Sequence, residues 1–140
     1  MMTIMVNNKP ESLGSSGAAE FRNMAVWEGG YNLCLDICKA ADSTPEKGNE
    51  VVQQLKSAAV LIPISLSKSA SFKLGRQYIR NLRNAFIATK QTSTLLLLCN
   101  DLGYLPSDKF LDLNSKLTNF SSKLWKYIKY SERKLKQRNR

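Results

Sequence analysis

Residues 72–103, FKLGRQYIRNLRNAFIATKQTSTLLLLCNDLG, decide the fold. Lys73, Arg76, Arg80, Arg83 and Lys90 follow one another at intervals of 3, 4, 3 and 7 residues. At about 100° per residue, all five project within roughly a 100° arc of one helix. Tyr78, Ile79, Leu82, Phe86, Thr89 and Leu96 take the opposite side, as a buried stripe does. The spacing predicts one long helix, basic on one flank and apolar on the other. Leu95 to Leu98 makes its end apolar all round, so that end calls for a second partner. Gly103 suits a left-handed C-terminal cap, with Tyr104 and Leu105 just beyond to close it.

The same period extends outward. Downstream, Phe110, Leu113, Leu117, Phe120, Leu124 and either Tyr127 or Ile128 form a bundle seam. Pro106 opens this fourth helix, and Asp108 sits near its positive end. Past Ile128, Lys and Arg dominate, and residues 131–140 read as a frayed basic tail. Upstream, Val51, Val52, Leu55, Ala58, Ala59 and Ile62 give the buried face of a second helix from Glu46 to about Ser69. Thr44 is its expected cap, Pro45 its first residue and Pro63 its kink. Met24, Trp27, Tyr31, Cys34, Cys38 and Ala41 recur at helical spacing in a first helix from Phe21 to Ala41. Its Gly29-Gly30 pair costs roughly 1 kcal/mol per glycine and permits close approach of another backbone. Residues 1–20 lack a pattern and read as a lead-in. No strand pattern competes. The expected fold is all-α: an antiparallel up-down four-helix bundle over residues 21–130.

The chain has 140 residues, enough for one domain, and a net charge of +10. Residues 51–100 hold seven basic side chains and no Asp or Glu. Residues 113–140 hold nine basic side chains against Glu132 alone. Segments that exclude carboxylates build a positive field suited to nucleic acid or another anionic surface. A merely solvated face usually mixes signs. Histidine is absent, which removes the commonest general base and metal ligand. Cys34 and Cys38 share a helix face, but no second pair completes a metal site, so they read as buried small hydrophobes. No nucleophile–base arrangement or phosphate loop is present, so neither catalysis nor a cofactor is expected. Three cysteines without a secretion signal suit a reducing cytoplasm, and a four-leucine run is too short for a membrane span.

Several motifs resemble a known family. They are Phe21-x-x-Met24-x-Val26-Trp27, Gln54-Leu55-Lys56-x-Ala58-Ala59-Val60-x-Ile62-Pro63, Tyr78-Ile79-Arg80-x-Leu82-x-x-Ala85 and Asp101-Leu102-Gly103-Tyr104-Leu105. In this order they resemble the four-helix bundle proteins encoded in intervening sequences of large-subunit ribosomal RNA. The accessory variability determinants of diversity-generating retroelements are relatives of similar build. The likeness covers about Phe21 to Tyr130. Two departures stand out. Lys68 replaces an acidic residue common after the proline, and Gln91 and Ser93 stand where glutamates are common. These departures, with the added positive charge, tilt the resemblance toward the retroelement relatives. That resemblance implies a barrel-like homopentamer that binds nucleic acid and a reverse transcriptase during mutagenic retrohoming, with no chemistry of its own. The alternatives are an intervening-sequence-type four-helix bundle protein of unsettled role, with ribosomal RNA as a candidate ligand, and a structural module contacting acidic protein or lipid.

The expected contacts to RNA or an RNA–DNA hybrid are Lys73, Arg76, Arg80, Arg83 and Lys90. Lys123, Lys126, Lys129 and Arg133 join them as a second stripe on the fourth helix. Trp125, beside that stripe, could either stack a base or pack at a helix contact. Trp27, Cys34, Cys38, Leu55, Phe86, Leu117 and Phe120 are expected to pack.

Overall fold

The computed structural model describes residues 18–139, with side chains from Ala25 onward. The expected lead-in, as far as residue 17, lies outside the described residues. Four helices make up the described chain, with no strand among them: α1 (Ala18–Ser43), α2 (Glu50–Ala70), α3 (Arg76–Asp101) and α4 (Ser107–Arg138). Each helix packs on its neighbour in sequence, α1 and α4 close the ring, and no diagonal pair brings its backbones together. The contacts show that neighbours run antiparallel. Trp27 and Asp42 of α1 meet Ser67 and Lys56 of α2, and Phe86 of α3 meets Trp125 of α4. Between α1 and α4, Asp36 meets Lys116.

The core runs along the ring's axis. Ile37, Val52, Leu55, Ile62, Leu66, Leu82, Leu96, Leu117, Leu124 and Ile128 are buried in it. Burying side chains of this size stabilises the fold by about 1.5–3 kcal/mol each. Ala58, Ala59, Ala85 and Ala88 are buried too, and such short side chains permit close packing. Polar residues also enter, Thr89 as its place in the stripe predicts and others that the hydrophobic spacing does not pick out. Buried Thr89 and Thr92 donate to the carbonyls of Ala85 and Ala88 in their own helix, at 2.8 and 2.7 Å. Ser69 donates to the Tyr78 carbonyl across the α2–α3 turn at 2.8 Å. The buried Tyr78 and Tyr127 hydroxyls bond to each other.

The helix ends differ from expectation in four places. The first helix runs from Ala18 to Ser43 rather than from Phe21 to Ala41, and so takes in the last three residues of the expected lead-in. The second helix starts at Glu50, not Glu46, because Asn49 caps it, accepting from the Val51 N–H at 2.8 Å. Thr44 instead caps a turn: its hydroxyl accepts from the Glu46 N–H and donates to the Tyr104 carbonyl at 2.6 Å. The third helix begins at Arg76, so Phe72 and Lys73 lie in the preceding turn, outside the helical arc assigned to Lys73. The fourth helix runs on through the stretch expected to fray. Ser131 is buried and Leu135 packs against the core, which extends the apolar seam two more turns.

The cap at Gly103 forms as expected. Gly103 has φ +78°, the Tyr104 N–H reaches the Cys99 carbonyl at 2.8 Å, and the Gly103 N–H reaches Asn100 at 3.0 Å. α2 continues unbroken past Pro63. The Gly29-Gly30 pair serves contacts within the chain. A Cβ on Gly30 would sit 2.8 Å from Leu66 Cδ1 and 3.1 Å from Ile62 Cγ2. What approaches Gly30 is therefore a set of α2 side chains, with the Phe120 ring of α4 beside them.

Candidate nucleic-acid interface

α3 starts without a carboxylate. Gly75 precedes it with no side-chain cap, and its first turn contains no acidic residue, whereas α2 has Glu50 and α4 has Asp108 there. The positive end of the helix dipole is thus uncompensated at Arg76, and Arg80 and Arg83 follow in the next turns. All three arginines are exposed. Antiparallel pairing brings the last turns of α4 beside them. Together they enclose a groove of about 690 Å³ with Ile79 and Leu135 among its walls and Arg76, Arg80, Arg83 and Lys136 around it. Asn84, Asn139 and Glu132 complete the lining.

Glu132 sits between two cations. It binds Arg83 of α3 through Oε2 and Lys129 of its own helix at 3.4 Å through Oε1. Partial burial works to raise the carboxyl's pKa, but the hydrogen bond and charge of Arg83, with Lys129 assisting, outweigh it and hold the group below its ordinary value. Arg76, Arg80 and Lys136 make no ion pair among the described residues.

Farther along the same seam, Phe86 and Trp125 meet with ring centroids 5.1 Å apart. Lys90 lies over Phe86 at 5.1 Å and Lys129 over Trp125 at 4.5 Å. Trp125 keeps 40% of its surface exposed. Phe86 and Lys129 already occupy its neighbourhood, so it packs between helices at least as much as it faces outward.

The structure gathers some of the expected contact residues and separates others. Arg76, Arg80, Arg83, Lys90 and Lys129 lie along the α3–α4 seam. Lys73 is exposed in the turn before it. Lys123 lines a hollow between α1 and α4, with Asp36 and Lys116. Lys126 and Arg133 are exposed on α4 and line no part of the groove. The residues of the fourth-helix stripe thus have three settings: Lys129 at the α3–α4 seam, Lys123 at the hollow beside α1, and Lys126 and Arg133 exposed on α4. Sequence reasoning missed Lys136, Asn84 and Asn139 as groove residues. The available signal was Glu132, the lone carboxylate in a basic stretch, because a lone acid often marks a pairing partner.

The rest of the molecule offers little chemistry. No group of His, Cys, Asp or Glu among the described residues could hold a metal. Burial, with Cys38 adding to it, pushes the Cys34 thiol up to about 12, and burial raises Cys99 as well. Both therefore stay protonated and poorly nucleophilic at neutral pH. No helix among the described residues is long and apolar enough to cross a membrane.

Residues 22–126 match the family model described as 23S rRNA-intervening sequence protein. The chain belongs to that family. A crystal structure of a protein of unknown function from the S23 ribosomal protein family, from Bacteroides thetaiotaomicron, has the same fold. Its TM-score is 0.71 at 16% identity, and the match covers 77% of this chain and 98% of that one. No protein of curated function matches the sequence. The family match includes Arg76, Arg80, Arg83 and Lys90 but ends before Lys129, Glu132 and Lys136. Half of the groove thus lies in the matched part of this 23S rRNA-intervening sequence family member, and half lies beyond it.

Proposed function

We propose that the protein is a non-catalytic RNA-binding helical bundle that grips phosphates along the α3–α4 seam. The observation that carries this reading is the groove. Four basic side chains from two helices surround it, and Glu132 is the one carboxylate there. Phosphate contacts of this kind fix position and carry little base information, so recognition by shape follows. The family is named for intervening sequences of 23S rRNA, which makes structured RNA the first ligand to test. The absence of histidine supports a role without chemistry.

The double variant Arg76→Glu/Arg80→Glu tests the reading. Both side chains are exposed and unpaired among the described residues, so helicity should hold. RNA affinity should fall at least about 100-fold at low salt, and the salt slope should flatten by about 0.7–0.9 for every phosphate no longer gripped. Unchanged affinity and slope would remove this face as the site.

A more specific reading adds a reverse transcriptase and a homopentamer in a diversity-generating retroelement. Lys68, Gln91 and Ser93, standing where acidic residues are common in intervening-sequence relatives, favour it. Leu35, Val60, Leu61, Ile64, Leu97 and Leu98 favour self-association, since each keeps 38% or more of its surface exposed. Light scattering should show a multimer, and co-purification with a reverse transcriptase encoded nearby should follow. A clean monomer at micromolar concentration would end the barrel picture and leave RNA binding to be judged separately.

A further inference from the structure

We propose that Glu132 is an internal competitor for a phosphate seat between Arg83 and Lys129, and that it sets the affinity of the α3–α4 groove for nucleic acid. The inference rests on reading that groove as a phosphate-gripping face. Residues 51–100 contain no carboxylate and residues 113–140 contain this one. Its position is specific, because one oxygen takes Arg83 from α3 and the other takes Lys129 from α4. Arg76, Arg80 and Lys136 line the same groove. A carboxylate and a phosphate present similar oxygens to a guanidinium, so each can replace the other there. The Glu132 side chain is 29% exposed, within reach of an incoming backbone.

Holding the helices together is not reason enough for the carboxylate. Ion pairs this exposed contribute little to stability. The seam is already closed by Phe86 on Trp125 and by buried Ile79, Leu82, Leu124 and Ile128. A negative charge at the groove lowers its attraction for phosphate, and Arg83 must leave Glu132 before it can serve RNA. Binding is therefore an exchange of one anion for another, in which only part of the Arg83 attraction appears as affinity.

The test measures binding of poly(U) and of a random-sequence RNA duplex at several salt concentrations. Glu132→Gln keeps an oxygen that can accept from Arg83 but loses the charge. It should tighten binding about three- to tenfold at low salt, the effect of one charge a few ångströms from a phosphate near water. Its salt slope should steepen by about 0.7–0.9 for each additional phosphate gripped. Asp112→Asn removes the same charge near Lys116, away from the groove, and should change affinity less than about twofold. Arg83→Gln should weaken binding. If Glu132→Gln binds no tighter while Arg83→Gln binds weaker, the groove reading stands and the competitor idea falls. An equal gain in Glu132→Gln and Asp112→Asn would also overturn it, leaving only a net-charge effect. If neither Arg83→Gln nor Glu132→Gln alters binding, the groove reading falls with it.

Discussion

Trp27 and Trp125 occupy opposite flanks of the bundle in very different company. Trp27 lies in the seam between α1 and α2, stacked on Tyr31 at 5.1 Å, and its indole N–H donates to the Ser67 hydroxyl at 2.8 Å. The hollow around it, about 540 Å³, is lined by Leu35, Val60, Pro63 and Ile64, with Lys68 its one charged residue. Trp125 lies in the seam between α3 and α4, with Phe86 on one side and Lys129 over its ring. The same amphipathic ring thus serves an apolar surface on one flank and a basic one on the other. The neighbours set its role: Tyr31 and Lys129 come from the ring's own helix, and Ser67 and Phe86 from the helix packed against it.

The strongest way to break this comparison is to reverse charge on each flank. Arg76→Glu/Arg80→Glu should cost at least about 100-fold in RNA affinity, whereas Lys68→Glu should change it less than about threefold. Comparable losses from both would mean that the whole positive field binds RNA and neither seam is special. Replacing each tryptophan comes next. Trp27→Ala loses a hydrogen bond and a stacked ring, and should destabilise the fold by about 2–3 kcal/mol in denaturant melts with RNA affinity unchanged. Trp125→Ala should cost about 1 kcal/mol in stability and less than threefold in affinity, because its ring is half outside the core. A tenfold loss of affinity with unchanged melting would instead make Trp125 a stacking platform.

The glycine pair beneath the apolar flank gives a smaller, signed effect. Gly30→Ala should destabilise by about 1–2 kcal/mol, because its Cβ would crowd Leu66 and Ile62, both fully buried, and they must shift to admit it. Gly29→Ala meets Phe120 at an ordinary 3.4 Å and should stabilise by about 0.5–1 kcal/mol through helix propensity. The smallest effect is acid sensitivity on the basic flank. The Glu132 pKa is lowered on folding, so its stabilisation is complete above about 4.5, the ordinary value, and fades as pH falls through the lower folded value. Melting temperatures of the protein and of Glu132→Gln should differ slightly at neutral pH and converge in acid. A gap that widens in acid would contradict the pairing.

Four helices and their apolar stripes were legible in the sequence, because spacing alone decides which side chains share a helix face. The cap at Gly103 was legible for a related reason: a positive φ beside apolar residues is a local requirement. The start of α2 was misplaced because Thr44-Pro45 and Asn49-Glu50 both offer plausible caps, and a bond from Thr44 to Tyr104, sixty residues away, decides between them. The tail was misread because its one apolar anchor, Leu135, becomes half-buried only when packed against the core.

The sequence by itself determined the helices, the apolar stripes and the exclusion of carboxylates from two long segments. Local propensity, periodicity and net charge are properties of neighbouring residues and need no partner. Only the tertiary structure decided which basic residues lie together. Antiparallel packing brings Arg76, Arg80 and Arg83 beside Lys136, about fifty residues on, while turning Lys123 toward α1. A charge's neighbours in space, rather than its neighbours in sequence, set the field that a phosphate meets.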